Sequence, residues 1–160
     1  MSTAQSSEPA PPADHAVQVA AGLVFREGKL LITQRRPHDH LGGLWEFPGG
    51  KRESGETFEV CLERELREEL GVSVQIGELF DAVTHTYPER TVHIRFFRCR
   101  WTQHEPQTLA CHAIAWITRP QLDQFDFPAA DARLLDRLRS AVWLWDSRDA
   151  SSPRPGRDSL

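Results

Sequence analysis

Apolar and polar positions along the chain repeat with two different periods. AVQVAAGLVF (residues 16–25) and KLLITQR (residues 29–35) are apolar, β-branched runs on either side of REGK, and they predict two strands joined by a hairpin. A loop over residues 37–43 follows, then a short strand in LWEF. VSVQIGELFDAVTHTY opens with alternation at Val72, Val74 and Ile76, and TVHIRFFRCRW alternates at Val92, Ile94 and Phe96; YPER between them marks a turn. AIAWI supplies a last strand. Helical spacing takes over twice, at Leu62, Leu66 and Leu70, and at Leu134, Leu135, Leu138 and Val142 within PAADARLLDRLRSAVWLW. Strands predominate, with two helices to cover them, which predicts an α+β, three-layer domain.

The first of these helices has well-marked ends. Thr57 is a good N-cap, Glu59 sets an acid in the first turn where the helix dipole favours one, and Gly71 after Leu70 suits a left-handed stop. The helix is therefore predicted over Phe58–Leu70, with Glu65, Glu68 and Glu69 on an arc beside the leucine stripe. That arc has two readings. An exposed like-charge pair costs only ~0.2–0.5 kcal/mol, and Arg64 and Arg67 dilute the cluster, so a solvated face is physically acceptable. What precedes the helix favours chemistry. Pro48, Gly49, Gly50 and Gly55 form a loop poor in side chains, whose backbone can approach a ligand. It leads into grouped oxygen ligands of the kind Mg²⁺ takes when it joins one or two carboxylates to substrate phosphates.

Composition narrows the function classes. A chain of 160 residues, 39% hydrophobic, suits one globular core. Its ends, 1–15 and 147–160, are rich in Ala, Pro, Ser and charge without apolar periodicity, and are expected as disordered tails around a single domain over 16–146. A net charge of −4 argues against general nucleic-acid binding through a basic surface. No run has the length of a membrane span and the first residues do not read as a signal peptide. Cys61, Cys99 and Cys111 are too far apart for a zinc or redox pair and suit a reducing cytoplasm. A monomer is expected rather than a dimer.

Gly50, five intervening residues, Glu56, seven more, Arg64-Glu65-Leu66, one residue, Glu68-Glu69, one residue and Gly71-Val72 reproduce the signature box of the Nudix hydrolases. LLITQRR, WEFPGGK, YPERTVHI and FPAAD follow the same family order, so the chain resembles MutT-type nucleoside triphosphate pyrophosphohydrolases from about residue 17 to residue 138. The resemblance implies the Nudix α/β/α sandwich, a mixed central sheet between helices. It implies that Glu65, Glu68 and Glu69, with the carbonyl of Gly49, ligate Mg²⁺ or Mn²⁺. Arg64 would orient a box carboxylate and Glu56 would brace the loop to the helix, while Gly50 and Gly71 fix the backbone of the box. Lys51 would approach phosphate, and Arg35, Phe47, Tyr87, Arg90 and Asp131 would surround the base and sugar. The implied reaction is attack of water on the β-phosphorus of a nucleoside triphosphate, giving monophosphate and pyrophosphate, in the service of nucleotide-pool sanitation and DNA repair.

Two positions depart from the pattern. Many MutT-type enzymes carry a further glutamate where this chain has Ala110; Glu105, in the same loop, is a candidate substitute. Asp131 replaces an asparagine of the oxidised-guanine enzyme, and an ionised aspartate only accepts hydrogen bonds. The substrate choice therefore stays open between oxidised guanine nucleotides such as 8-oxo-dGTP and cytosine nucleotides such as CTP or 5-methyl-dCTP, with a weakly catalytic nucleotide-binding module as a further alternative. Residue by residue, plainer roles remain open as well: Phe47 as core filling, Tyr87-Pro88 as an ordinary turn, Arg35 and Arg90 as solvated charges. The histidines read as surface or turn residues, with His40 able to touch phosphate. Trp143 and Trp145 read as packing residues that close the last helix onto the sheet.

Overall fold

The computed structural model describes residues 16–146, so the expected tails lie outside the described residues. In chain order the strands are β1 (Val17–Arg26), β2 (Lys29–Gln34), β3 (Trp45–Glu46), β4 (Gly49–Lys51), β5 (Ser73–Thr86), β6 (Thr91–Gln103) and β7 (Ala113–Ile117). Helix α1 (Phe58–Leu70) lies between β4 and β5, and α2 (Ala132–Ser140) follows β7. The sheet runs β3-β2-β1-β6-β5, with β4 paired to β1 and β7 to β2. β1 and β6 are parallel and every other pairing is antiparallel, so the sheet is mixed.

Local chemistry explains the elements the pattern anticipated. The β1–β2 hairpin turns at Glu27 and Gly28, both at positive φ, as a tight primed turn requires. In α1 the Thr57 hydroxyl accepts from the Val60 amide at 3.1 Å, and Gly71 ends the helix at φ 70. Leu62, Leu66 and Leu70 are buried, joined by Phe58 and Cys61. They pack on Ala20, Val24, Leu31, Phe97 and Cys99 on one face of the sheet. On the other face Leu134, Leu138 and Leu144 pack on Leu23, Phe25, Ile32, Phe47 and Phe96. Two apolar layers thus sandwich the sheet, and central β1 is buried on both sides from Ala20 to Phe25. No described helix is long and apolar enough to cross a membrane.

Two expectations are corrected. The glycine loop before α1 contains a strand, β4, whose pairing register is Ala21↔Gly49, Ala20↔Gly50 and Val19↔Lys51. The helical spacing read as far as Val142 is cut short, because α2 stops at Ser140, and Val142 is 57% exposed while Leu144 is buried. The chain turns there because Trp145 folds back: its indole N–H donates to the Leu138 carbonyl at 2.9 Å, filling a helix-end acceptor, and its ring meets Phe25 edge-on at 5.3 Å.

Candidate active site

β4 brings the chain past the side of α1, and the absence of side chains there lets the acids come in. A Cβ on Gly50 would sit 2.3 Å from the Glu65 carboxyl carbon, so the Glu65 carboxyl occupies the space a side chain would take. On Gly49 a Cβ would meet the Ala20 carbonyl oxygen at 2.0 Å, which is the condition for β4 to lie against β1. The Cys61 thiol lies 3.6 Å from the Gly50 carbonyl oxygen and adds a tie from the helix.

Arg64 is the hub of this region. Its guanidinium donates to both Glu56 oxygens at 2.6 and 3.1 Å, to Glu65 at 2.9 Å, to Glu68 at 3.2 Å and to the Lys51 carbonyl at 3.3 Å. Glu56 also accepts from the Glu53 amide at 2.8 Å. The Arg64 hydrogen bonds hold the Glu56 carboxyl far below the usual range, at about 2. Glu69 lies within reach of the Glu65 charge. Burial first, then the Glu65 charge, pushes Glu69 up to about 8. Two carboxyls crowded this way are stabilised by a proton or by a cation, and all their donors are oxygen, the set a hard divalent ion takes. Among the described residues no group of three or more His, Cys, Asp or Glu side chains is already placed to hold a metal ion.

A cavity of about 490 Å³ opens beside these acids. Glu65, Glu69, Gly49, Gly50 and Lys51 line it together with Phe47, Glu46 and Asp131, and Arg35, Tyr87 and Arg90 also border it. Glu68, Arg64, Glu56 and Gly71 are not in its wall. Glu68 has a side chain 60% exposed and turned to Arg64. Phe47 is only 5% exposed, stacked on Phe127 at 5.2 Å and edge-on to Phe96 at 6.0 Å, so it is a core residue that also floors the cavity. Arg35 is engaged within the wall, donating to Glu46 at 2.8 Å and to the His40 carbonyl at 2.6 Å. Tyr87 and Arg90 close the β5–β6 turn through paired backbone hydrogen bonds of 2.7 and 3.2 Å.

Asp131 stands at the N-cap of α2, yet its side chain makes no capping hydrogen bond. It is 8% exposed, and burial, then the Glu46 charge, raises it to about 6. Glu46 is itself raised by burial, against the pull of Arg35. Sequence reasoning missed Glu46; the available signal was an acid inside the apolar strand LWEF. It also read His85 as a surface or turn residue, whereas it lines the cavity with its ring 4.4 Å from that of Tyr87, which also meets the His40 ring at 5.7 Å. The alternation of β5 explains the error: Val83 and His85 fall on the same face, opposite Ile94 and Val92 of β6, and those two also line the cavity. Ala110 lines the cavity, but Glu105 does not; it pairs with Arg26 at 2.7 Å and is 69% exposed.

Known proteins resemble this chain over most of its length. A family model described as the NUDIX domain matches residues 20–137. An 8-oxo-dGTP diphosphatase of Haemophilus influenzae is 36% identical over 123 residues, covering 76% of this chain and 90% of that protein. A CTP pyrophosphohydrolase of Escherichia coli is 35% identical over 126 residues, covering 75% and 89%. The solution structure of the E. coli ORF135 protein superimposes with a TM-score of 0.69 at 30% identity, covering 82% of this chain and 94% of that one. Since the match extends through the sheet and both helices, well past the box that carries the acids, the chain belongs to the Nudix family and is a Nudix hydrolase.

Proposed function

We propose that the protein hydrolyses nucleoside triphosphates to monophosphate and pyrophosphate with Mg²⁺ or Mn²⁺ bound, and that it removes oxidised or otherwise noncanonical nucleotides such as 8-oxo-dGTP. The observation that carries this reading is the cavity itself, in which crowded carboxylates with Lys51, buried Asp131 and half-buried Glu46 share one volume of about 490 Å³. The names of the two relatives support the reaction class.

Glu65 and Glu69, with Glu68 and the Gly49 carbonyl, would hold the cation, which when bound neutralises phosphate oxygens and makes water a nucleophile near neutral pH. Glu68 belongs to this set because its hydrogen bond to Arg64 is exposed and costs little to exchange. Lys51 directs a positive charge to the phosphates, which a chain of net charge −4 needs locally. Arg64 holds Glu65 turned toward Gly50. Proton handling falls to the box carboxylates, because Ala110 brings no acid and Glu105 is tied to Arg26.

Asp131 and Glu46 select the base. Above about pH 6 Asp131 is ionised and accepts from N–H groups of the base; below it, the protonated carboxyl can donate to a carbonyl. Two acceptors together suit a base edge that presents N–H groups, which guanine offers at N1 and its exocyclic amine and cytosine at its exocyclic amine, so a preference for cytosine nucleotides stands as the second reading. A panel of natural and modified (d)NTPs scored by kcat/KM, with pyrophosphate identified as product, tests the function and ranks the two readings. Preference for donor-presenting bases is expected to rise between pH 5 and 7.5 as Asp131 ionises, and to become flat in Asp131→Asn. An unchanged substrate profile in that variant removes Asp131 from base recognition.

A further inference from the structure

Among the described residues two aspartates are buried, Asp81 at 6% exposure and Asp131 at 8%. Asp81 lies in β5 next to a register irregularity between Leu79 and Asp81, a feature that re-aims side chains on a strand. Its Oδ1 accepts from the Ala82 amide at 2.9 Å and from the Arg133 guanidinium of α2 at 3.3 Å, and forms an ion pair with Arg137 of the same helix at 3.1 Å. Arg137 also donates to the Phe80 carbonyl at 2.7 Å and lies 4.3 Å over the Phe80 ring. The first two turns of α2 are thus pinned to β5. Arg133 is only two residues beyond Asp131, so the pin acts where the cavity-lining carboxyl leaves the chain.

The arrangement is costly. Asp81 Oδ2 is buried with no hydrogen-bond partner, and both arginines are largely in solvent, with side chains 73% and 43% exposed. A buried acid with an unfilled oxygen contributes less to stability than an apolar residue of similar volume, so its use here is geometric. Leu134 and Leu138 bury α2 on the sheet, and apolar contacts are non-directional. The directional hydrogen bond from Arg133 and the ion pair with Arg137, both to one buried carboxylate, set the rotation and register of the helix. We infer that Asp81 is a positioning residue for base selectivity, holding the first turn of α2 so that the Asp131 carboxyl keeps its place in the cavity. This rests on the base-selecting role proposed for Asp131.

The test measures kcat/KM for an oxidised guanine triphosphate and a cytosine triphosphate, together with Tm, in Asp81→Asn, Asp131→Asn, their double variant, and Arg133→Gln with Arg137→Gln. Asp81→Asn is expected to shift the selectivity ratio by roughly fivefold or more, through KM rather than kcat, and to add little in the Asp131→Asn background. The arginine variant, altered only on exposed side chains, is expected to shift the ratio in the same direction and covers the case in which Asp81→Asn does not fold. A lowered Tm with an unmoved ratio in these variants, while Asp131→Asn moves it, overturns the inference and leaves the base-selecting role standing. Full additivity in the double variant also overturns it. If Asp131→Asn itself leaves the ratio unmoved, the base-selecting role falls and the inference falls with it.

Discussion

Glu65→Gln and Glu69→Gln, assayed with Mg²⁺ as pyrophosphate release, are expected to lower kcat by about 10²–10⁴-fold while the thermal transition stays in place. The substitution keeps shape and hydrogen bonding but removes the charge that a divalent ion requires. It also relieves crowding, since burial and the Glu65 charge already push the Glu69 carboxyl up to about 8. A purely structural acid would show the reverse, with stability lost and turnover kept. Glu68→Gln is expected to lose turnover as well; wild-type activity in it would leave the cation to Glu65 and Glu69 alone. Full activity in both Glu65→Gln and Glu69→Gln removes the metal assignment. An independent readout is Tm in chelator against Mg²⁺ or Mn²⁺, which rises when the ion binds the fold and not the unfolded chain. The gain grows with pH up to about 8, because below that the ion must displace the proton held on Glu69.

The second large effect separates two adjacent glycines. Gly49→Ala is expected to cost about 3 kcal/mol and roughly 10 °C in Tm, because its Cβ would meet the Ala20 carbonyl oxygen at 2.0 Å and neither strand can yield without breaking the β1–β4 pairing. Gly50→Ala is expected to keep most of its stability and lose activity comparable to Glu65→Gln. The atoms its Cβ would meet, at 2.3 Å, belong to the flexible end of Glu65, which can swing away but not without leaving the cavity. Circular dichroism melts beside steady-state kinetics distinguish the two. If Gly50→Ala turns over normally, the carboxyl of Glu65 is not needed where it now lies.

Why some of this was legible in the chain and some was not follows from the range of the forces involved. Helix α1 was readable to the residue because its N-cap, leucine stripe and terminal glycine act within the helix and its immediate flanks. The β1–β2 turn was readable because positive φ at Glu27 and Gly28 is a local demand. β4 escaped because its pairing comes from β1, about thirty residues upstream, and a glycine pair carries no strand signal of its own. The break after Ser140 escaped because the indole that caps Leu138 belongs to Trp145, and nothing in the spacing of Leu134, Leu135, Leu138 and Val142 announces it.

The same division runs through the site. The order and spacing of Gly50, Glu56, Arg64, Glu65, Glu68 and Glu69 set the acidic helix, its glycine approach and the family, because residues within one turn and its lead-in meet wherever the rest of the chain goes. Only the folded sheet decided that Glu46 and His85 line the same cavity as Asp131, that Glu68 turns away from it, and that Glu105 is spent on Arg26. Those outcomes depend on parallel pairing of β1 with β6 and on the seating of α2, contacts between segments far apart in sequence. Such contacts are selected by burial of whole faces, to which no single residue's identity is a guide.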